Sequence, residues 1–211
     1  MADPVGHARD ATTLGHELDR LALDPAVRSI AIAQRLDPLP ASLRTAALRR
    51  VTRRGQRALY EKSRGFAPVL LHELVPPDRA DLESVRHLGR NTLPAFRIFE
   101  KWFCRLPGSA RESPERLAGF NFQALSGITG PGYFVAVADP EGEEVLVDYR
   151  LLPETQPPDW PEIRSNETGL ARFVYGFLVD RLRRVSRDVT IGSAARNAKE
   201  LGSYFVLSRE P

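Results

Sequence analysis

The residues of this chain best suited to chemistry are polar side chains that alternate with apolar ones in its second half. Polar groups held among apolar neighbours orient a small molecule, and tyrosine offers both an apolar ring and a hydroxyl. The candidate ligand-binding residues are Tyr133, Tyr149, Tyr175, Asp180, Arg183 and Tyr204. The sequence therefore predicts a pocket for a small apolar or amphipathic molecule.

A carboxylate in such a pocket supports an alternative, a small-molecule enzyme. Asp148 and Asp180 both lie in apolar segments, and burial would raise the pKa of either carboxyl, which general acid–base catalysis uses. The sequence shows no nucleophile motif, phosphate-binding loop or metal-ligand spacing beside them. It therefore indicates no cofactor and no metal, and it leaves open whether the protein is an enzyme.

A third set of residues lies in the arginine-rich stretch from Ser42 to Arg64, where eight basic residues stand against one acid, Glu61. A rotation of about 100° per residue places its basic and apolar residues on opposite sides of a helix. The arginines of the basic side are Arg49, Arg50, Arg53, Arg54 and Arg57. We expect this basic side of the helix either to be exposed to solvent or to form a surface that binds an acidic partner or an anionic membrane. Nucleic acid is disfavoured, because no aromatic residue interleaves with these arginines before Tyr60.

The elements that must position these residues change type along the chain. The first half has helical spacing, with a short helix after Asp24-Pro25 and another from Ser42. Two further helices are predicted, from Asp78 to Gly89 and from Thr92 to Leu106. Residues 1–40 are expected to form a helical extension of a single α+β domain at 41–211, helical over 41–106.

The part of the chain from 119 to 211 is rich in strand patterns. One amphipathic helix is predicted within it at 170–185, and the proline-rich segment 153–161 is a candidate lid that cannot join a ladder. The predicted strands cover residues 120–125, 133–138, 145–151, 189–194 and 203–210. The fold class is α+β, with an N-terminal helical layer packed on a C-terminal curved antiparallel sheet or partial β-barrel.

The last forty residues carry a family resemblance. They hold Tyr175, then Asp180 and Arg183, then Ile191-Gly192, and finally an aromatic strand from Tyr204-Phe205 through Arg209. This succession resembles the closing segment of lipocalin-like, calycin-type barrels, and the resemblance implies a barrel that binds a small ligand. The chain departs from these proteins in lacking the Gly-x-Trp signature that opens them, and its helical first half has no counterpart there.

Composition limits the remaining choices. With 211 residues, of which 42% are hydrophobic, the chain can bury a substantial core. The single cysteine, Cys104, excludes an internal disulfide. The N-terminal residues contain no apolar run of the length a signal peptide or membrane span requires, so a soluble, cytoplasmic protein is expected. Lysine is rare, with only Lys62, Lys101 and Lys199 among 30 basic residues.

Overall fold

Eight antiparallel strands form a closed barrel in a computed structural model that describes residues 4–123, 130–140, 142–167, 169, 171–197 and 199–211. Each strand pairs with its neighbours in the chain, and β8 pairs with β1 to close the barrel. The strands are β1 (Val85–Asn91), β2 (Ile98–Arg105), β3 (Arg116–Phe122), β4 (Tyr133–Ala138), β5 (Val145–Asp148), β6 (Leu178–Ser186), β7 (Val189–Arg196) and β8 (Lys199–Arg209).

Helices precede the barrel, and one short helix interrupts the connection from β5 to β6. They are α1 (Pro4–Leu23), α2 (Ser29–Leu36), α3 (Ala41–Leu48), α4 (Arg53–Lys62), α5 (Leu71–Leu74) and α6 (Ala171–Val174). Within the described residues, no helix has both the length and the apolar character needed to cross a membrane.

The two ends of the barrel differ. At one end, here called the closed end, Leu71 and Leu74 of α5 share the interior apolar cluster with strand residues such as Phe103 and Leu182. The opposite end, here called the mouth, receives the connections β1–β2, β3–β4, β5–β6 and β7–β8, because alternate strands of an up-and-down barrel run toward it. The mouth is therefore the end at which loops meet the interior.

Two further apolar clusters cover the outside of the barrel. The helix-side cluster joins Leu18, Leu36 and Leu48 of the helices to the outward residues Ile191 and Val206. The loop-side cluster joins Cys104, Phe120 and Tyr133 to Trp160 of the proline-rich segment. Many strand residues are consequently buried on both faces of the barrel wall.

The α+β class and the antiparallel sheet are confirmed, and the sheet is a closed barrel rather than an open or partial one. The strand predicted at 133–138 is β4 itself, and those at 145–151, 189–194 and 203–210 overlap β5, β7 and β8. The strand predicted at 120–125 overlaps β3, and its last two residues lie outside the described part of the chain.

The helices predicted at 78–89 and 92–106 are wrong, since β1 begins at Val85 after a stretch of turns and β2 occupies most of the second range. In β2 the inward Phe99 and Phe103 alternate with Trp102 and Cys104, which the loop-side cluster covers. A strand covered on both faces loses its period of two, and its apolar residues then imitate helical spacing.

Two other predicted helices are also corrected. The second half of the helix predicted at 170–185 is β6, and only α6 is helical there, because Phe177 has a left-handed backbone with φ 58° that ends the helix. The helix expected from Ser42 is split into α3 and α4. The Thr52 N–H donates to Asp19 Oδ1 at 3.0 Å, and the Thr52 hydroxyl accepts from the Gly55 N–H and so caps α4.

Candidate functional site

A buried lysine crosses the barrel interior. Lys101 lies on β2 and Asp180 on β6, four strands away around the barrel, and their side chains meet at 2.9 Å. Residue exposures of 1% for Lys101 and 3% for Asp180 show that bulk water does not screen the pair. The long lysine stem thus braces opposite walls of the barrel through one ion pair.

Asn121 and Tyr149 complete a hydrogen-bond network around this pair. Lys101 Nζ donates to Asn121 Oδ1 at 3.0 Å and also to the Tyr149 hydroxyl. Asn121 Nδ2 donates to the same hydroxyl at 2.6 Å, and that hydroxyl donates to Asp180 Oδ2 at 3.3 Å. All three protons of the ammonium group are therefore used.

One oxygen of the network is left over. Asp180 Oδ1 is buried and has no hydrogen-bond partner among the described residues. Leaving a buried acceptor unpaired costs roughly 1–3 kcal/mol, and more for a charged group. Every other side-chain nitrogen and oxygen of these four residues has at least one partner, so Asp180 Oδ1 is the one polar atom of the network that a donor from outside the chain could satisfy.

Aromatic rings enclose the ammonium group. Its distances to the ring centroids are 5.9 Å for Phe99, 5.1 Å for Phe134, 4.9 Å for Tyr149 and 5.0 Å for Phe205. Ring faces attract cations, and this attraction offsets part of the loss of hydration.

Three glycines make room for these rings. Gly89, Gly119 and Gly192 stand directly opposite Phe99, Phe134 and Phe205 on neighbouring strands. A Cβ atom at Gly192 would lie 2.2 Å from the Phe205 ring, and one at Gly119 would lie 2.2 Å from the Phe134 ring. Phenylalanine rings therefore fill the lumen at this level, and each ring fits only because the residue opposite it on the neighbouring strand is a glycine.

Burial dominates the electrostatics of the network. Loss of hydration lowers the pKa of Lys101, and the attraction of Asp180 offsets only part of that shift. Loss of hydration likewise raises the pKa of Asp180, against the opposing effect of Lys101. It also raises the pKa of Tyr149 well above that of a free tyrosine. Shifts of this kind occur at functional sites and also in structural ion pairs.

Tyr175 closes the lumen on the side of the mouth. Its ring stacks on Tyr149 with a centroid distance of 5.4 Å and an angle of 14°. On another side it contacts Gly132, where a Cβ would approach the ring to 2.5 Å. Its hydroxyl accepts a hydrogen bond from Gln123 Nε2 at 2.9 Å. One side chain between α6 and β6 therefore separates the mouth from the polar network.

The structure brings together three of the six predicted ligand-binding residues, Tyr149, Tyr175 and Asp180. The other three lie on the outer face of the barrel. Tyr133 is in the loop-side cluster and donates to Gln156 Oε1 at 2.9 Å. Tyr204 is in the helix-side cluster, with its ring centroid 5.3 Å from that of Tyr60.

Arg183 is the third of these outer residues. Its guanidinium lies 3.7 Å from the centroid of the Tyr60 ring, and its Nε donates to Glu144 Oε1 at 2.6 Å. Arg183 therefore lies outside the lumen that contains Asp180. The spacing of three residues would have placed both on one side of a helix, whereas on a strand it places them on opposite faces.

The other candidates also lie away from the lumen. Asp148 accepts from the Arg150 guanidinium at 2.7 Å at the end of β5. Arg50, Arg53, Arg54 and Arg57 are exposed, and Arg49 is half-buried. Their role as a surface for an acidic partner stays a prediction.

Comparisons of this chain with protein-family models, with curated proteins and with solved structures found no match. No family is shown. Its function must therefore be inferred from the geometry of the site.

Sequence reasoning missed Lys101 and Asn121 as site residues. Lys101 stood out as one of three lysines in an arginine-rich chain, but its segment was assigned to a helix. The inward alternation of Phe99, Lys101 and Phe103 was the signal that could have revealed it. Asn121 directly faces Lys101 across the β2–β3 ladder, a partnership that depends on strand register.

The proline-rich segment 153–161 lies along the barrel wall. Trp160 is buried in the loop-side cluster, and its indole N–H donates to Ser84 Oγ at 2.7 Å. Farther along, Asn166 Nδ2 donates to the backbone oxygens of Tyr133 and Tyr149 at 2.6 Å and 2.8 Å. The contacts of Trp160 attach the segment to the outer wall of the barrel, and a role of the segment as a lid stays a prediction.

Proposed function

We propose that the chain binds a small amphipathic molecule in the lumen of the barrel, between the mouth and the Lys101–Asp180 pair. The observation that carries this proposal is the unpartnered Oδ1 of Asp180, in a network whose other polar atoms all have a partner among the described residues. A hydroxyl or N–H group of the ligand would donate to this oxygen. The aromatic surroundings suit an apolar body behind that donor.

Access to this site passes Tyr175. Its ring must leave the face of Tyr149 before a ligand can reach the network, because the two rings stack directly. Tyr175 lies on a short segment between Gly169 and Phe177, both of which have positive φ. A change in this segment leaves the strand ladders of the barrel intact, so ligand access does not require the barrel to open.

Head-group chemistry provides the first test. Native mass spectrometry of the purified protein would first identify any ligand that it already carries. Titration would then compare a straight-chain alcohol, amine and carboxylic acid of equal length. We expect the alcohol and the amine to bind about tenfold or more tightly than the acid, whose carboxylate Asp180 repels. Equal affinity for all three would contradict the proposal, and an ordered water at Oδ1 would account for that result.

Variants of the ion pair provide the second test. Removing one partner leaves a buried unpaired charge and destabilises a protein by about 3–5 kcal/mol, whereas removing both is often neutral. The double variant Lys101→Met with Asp180→Leu is therefore expected to fold, to bind apolar molecules and to lose the preference for donors. Tyr204→Phe, on the outer face, is the matched control and should retain that preference.

The enzymatic alternative has one specific support. Burial raises the pKa of Asp180, so this carboxyl is the better candidate for a general acid, whereas Asp148 is held by Arg150. If a bound compound is converted, Asp180→Asn should abolish the conversion and Asp148→Asn should not. Thermal melts of both variants would separate lost chemistry from lost folding.

A further inference from the structure

Exposed apolar side chains concentrate at the mouth of the barrel. Among the described residues, nine of the twelve large apolar side chains that are exposed belong to the mouth. They come from the connections at the mouth and from the ends of the strands beside them. Six of them, here called the apolar rim, are Phe96, Ile98, Phe122, Leu151, Phe177 and Leu201. Exposed apolar patches larger than a few hundred Å² are uncommon on monomers and mark interaction surfaces.

Backbone conformation adds a second observation. Phe96 and Phe177 have φ values of 51° and 58°, in the left-handed region that bulky residues avoid. Such a conformation is unfavourable and persists where the surrounding structure imposes it. Phe96 is nevertheless 54% exposed, so burial of its ring does not offset this strain. Hydrogen bonds to backbone oxygens, from Asn91 Nδ2 to Phe96 and from the Asn197 N–H to Phe177, hold these conformations. The fold thus keeps two phenylalanine rings partly exposed at the mouth.

Charge at the mouth is predominantly positive. Outside residues 153–165, which contain three acidic residues and one basic residue, the connections at 92–98, 149–152, 166–177 and 196–201 contain five basic and two acidic residues. Arg150 is one of the five, and it pairs with Asp148. Arg97, Arg172 and Lys199 are exposed among them. Each basic residue near an anionic bilayer contributes about 1 kcal/mol of attraction. Apolar and basic residues therefore share one surface, as they do in proteins that bind the membrane interface.

The arrangement indicates what covers the apolar rim. Its residues come from separate connections and strand ends distributed around the end of a closed barrel. A peptide ligand needs a groove or a strand edge, whereas residues that surround an opening can all meet a flat surface at once. We propose that the apolar rim docks the mouth on an anionic lipid bilayer, from which an amphipathic molecule enters the lumen. The second half of this statement rests on the proposed function.

Vesicle sedimentation tests the docking directly, with the whole chain and no added lumen ligand. Vesicles of phosphatidylcholine alone would be compared with vesicles that also contain phosphatidylglycerol. We expect the chain to bind the anionic vesicles more tightly, with an affinity that falls as salt rises. Phe96→Asn with Phe177→Asn should weaken this binding about tenfold or more. Asparagine tolerates the left-handed backbone, so these substitutions do not add strain.

The chain offers a matched control for this variant. Ile30 and Leu70 are each 44% exposed and lie on α2 and immediately before α5, away from the mouth. Ile30→Asn with Leu70→Asn should leave vesicle binding unchanged. Equal binding by the rim variant, the control variant and the wild type would overturn the proposal.

Two other outcomes would also overturn it. If Arg53→Glu with Arg54→Glu abolishes binding and the rim variant does not, α4 is the membrane surface. If the chain does not bind vesicles but forms dimers that the rim variant dissociates, the apolar rim is a contact between two copies.

The titration with an alcohol in the absence of vesicles separates this proposal from the proposed function. A rim variant that keeps the alcohol affinity but loses vesicle binding supports docking. A wild type that binds vesicles but discriminates no head group supports docking and rejects the lumen site. A wild type that discriminates head groups but does not bind vesicles rejects docking alone.

Discussion

At the scale of single residues, the barrel contains polar side chains whose state depends on burial. His87 faces the interior, where its Nε2 donates to the Leu74 oxygen at 3.0 Å and its ring meets Phe103 edge-on at 4.9 Å. Loss of hydration lowers the pKa of His87 to about 4. The native structure therefore holds His87 neutral at pH values where an unfolded chain would protonate it.

This difference predicts a loss of stability in mild acid. The unfolded imidazole titrates near pH 6.5 and the folded one near 4. Between these values the unfolded state binds more protons, so His87 favours unfolding increasingly as the pH falls. We expect the free energy of unfolding to decrease by about 2 kcal/mol between pH 7 and pH 5 from this group. Urea unfolding at several pH values would measure it.

The variant His87→Gln is the control for this measurement. It should remove that part of the pH dependence, while Asp180, whose raised pKa acts in the opposite direction, remains in both proteins. A variant with the same slope as the wild type between pH 5 and pH 7 would show that another group titrates.

At the scale of elements, glycines opposite phenylalanines determine how the strands fill the lumen. Gly192→Ala would place a Cβ 2.2 Å from the Phe205 ring, and overpacking of this kind costs about 1–3 kcal/mol. The expected result is a lower midpoint of urea unfolding with an unchanged slope. Combining Gly192→Ala with Phe205→Leu should restore part of the loss.

Gly142→Ala is the matched control on the β4–β5 hairpin. There the nearest atom to the added Cβ is Asp139 Oδ2 at 3.5 Å, an ordinary contact. This substitution should change the midpoint little. If both alanine variants lose equal stability, the effect comes from the backbone of the glycine and not from the ring.

The same elements show why the sequence predicted only part of the fold. Alternation at 133–138 and the turn after Asp139 were sufficient to predict the β4–β5 hairpin. β2 and β6 were taken for helices, because α2–α4 and Trp160 cover outer faces of the barrel and apolar residues then occur on both sides of a strand. Whether a helix or a loop covers the outer face of a strand depends on the tertiary structure, and the spacing of apolar residues along the strand does not reveal it.

The candidate site was predictable to a similar extent. Tyr149, Tyr175 and Asp180 were selected as polar residues in apolar segments, and the barrel brings them together. Lys101 and Asn121 were missed, because their contact with Tyr149 and Asp180 depends on the closure of eight strands. Arg183 was misplaced by the same helix assignment that obscured β6.

At the scale of the whole molecule, the helices and the barrel share a core. Leu14, Leu18 and Leu36 from the first forty residues lie in one cluster with outward residues of the barrel wall. The boundary at residue 40 predicted from the sequence stays a prediction, and this shared cluster argues that the first forty residues do not fold independently of the remainder.

Deletion of residues 1–40 tests this boundary. Each fully buried large apolar side chain contributes roughly 1.5–3 kcal/mol, so the truncated protein should unfold at a markedly lower temperature and bind a hydrophobic dye. A truncated protein that melts at the temperature of the full chain would show that the first forty residues are a separable extension.

The pairing of β8 with β1 has a consequence for folding kinetics. The ladders between consecutive strands join segments that are close in the chain, but the β1–β8 seam pairs Asn91 with Phe205, across almost the whole barrel sequence. Closing so long a loop sacrifices more chain entropy than forming a hairpin does, and proteins with distant contacts fold slowly. We therefore expect an open sheet with two unpaired edge strands to form first and to persist until β8 pairs with β1. This transient open sheet exposes strand edges that can pair with other chains and aggregate, whereas the native closed barrel does not.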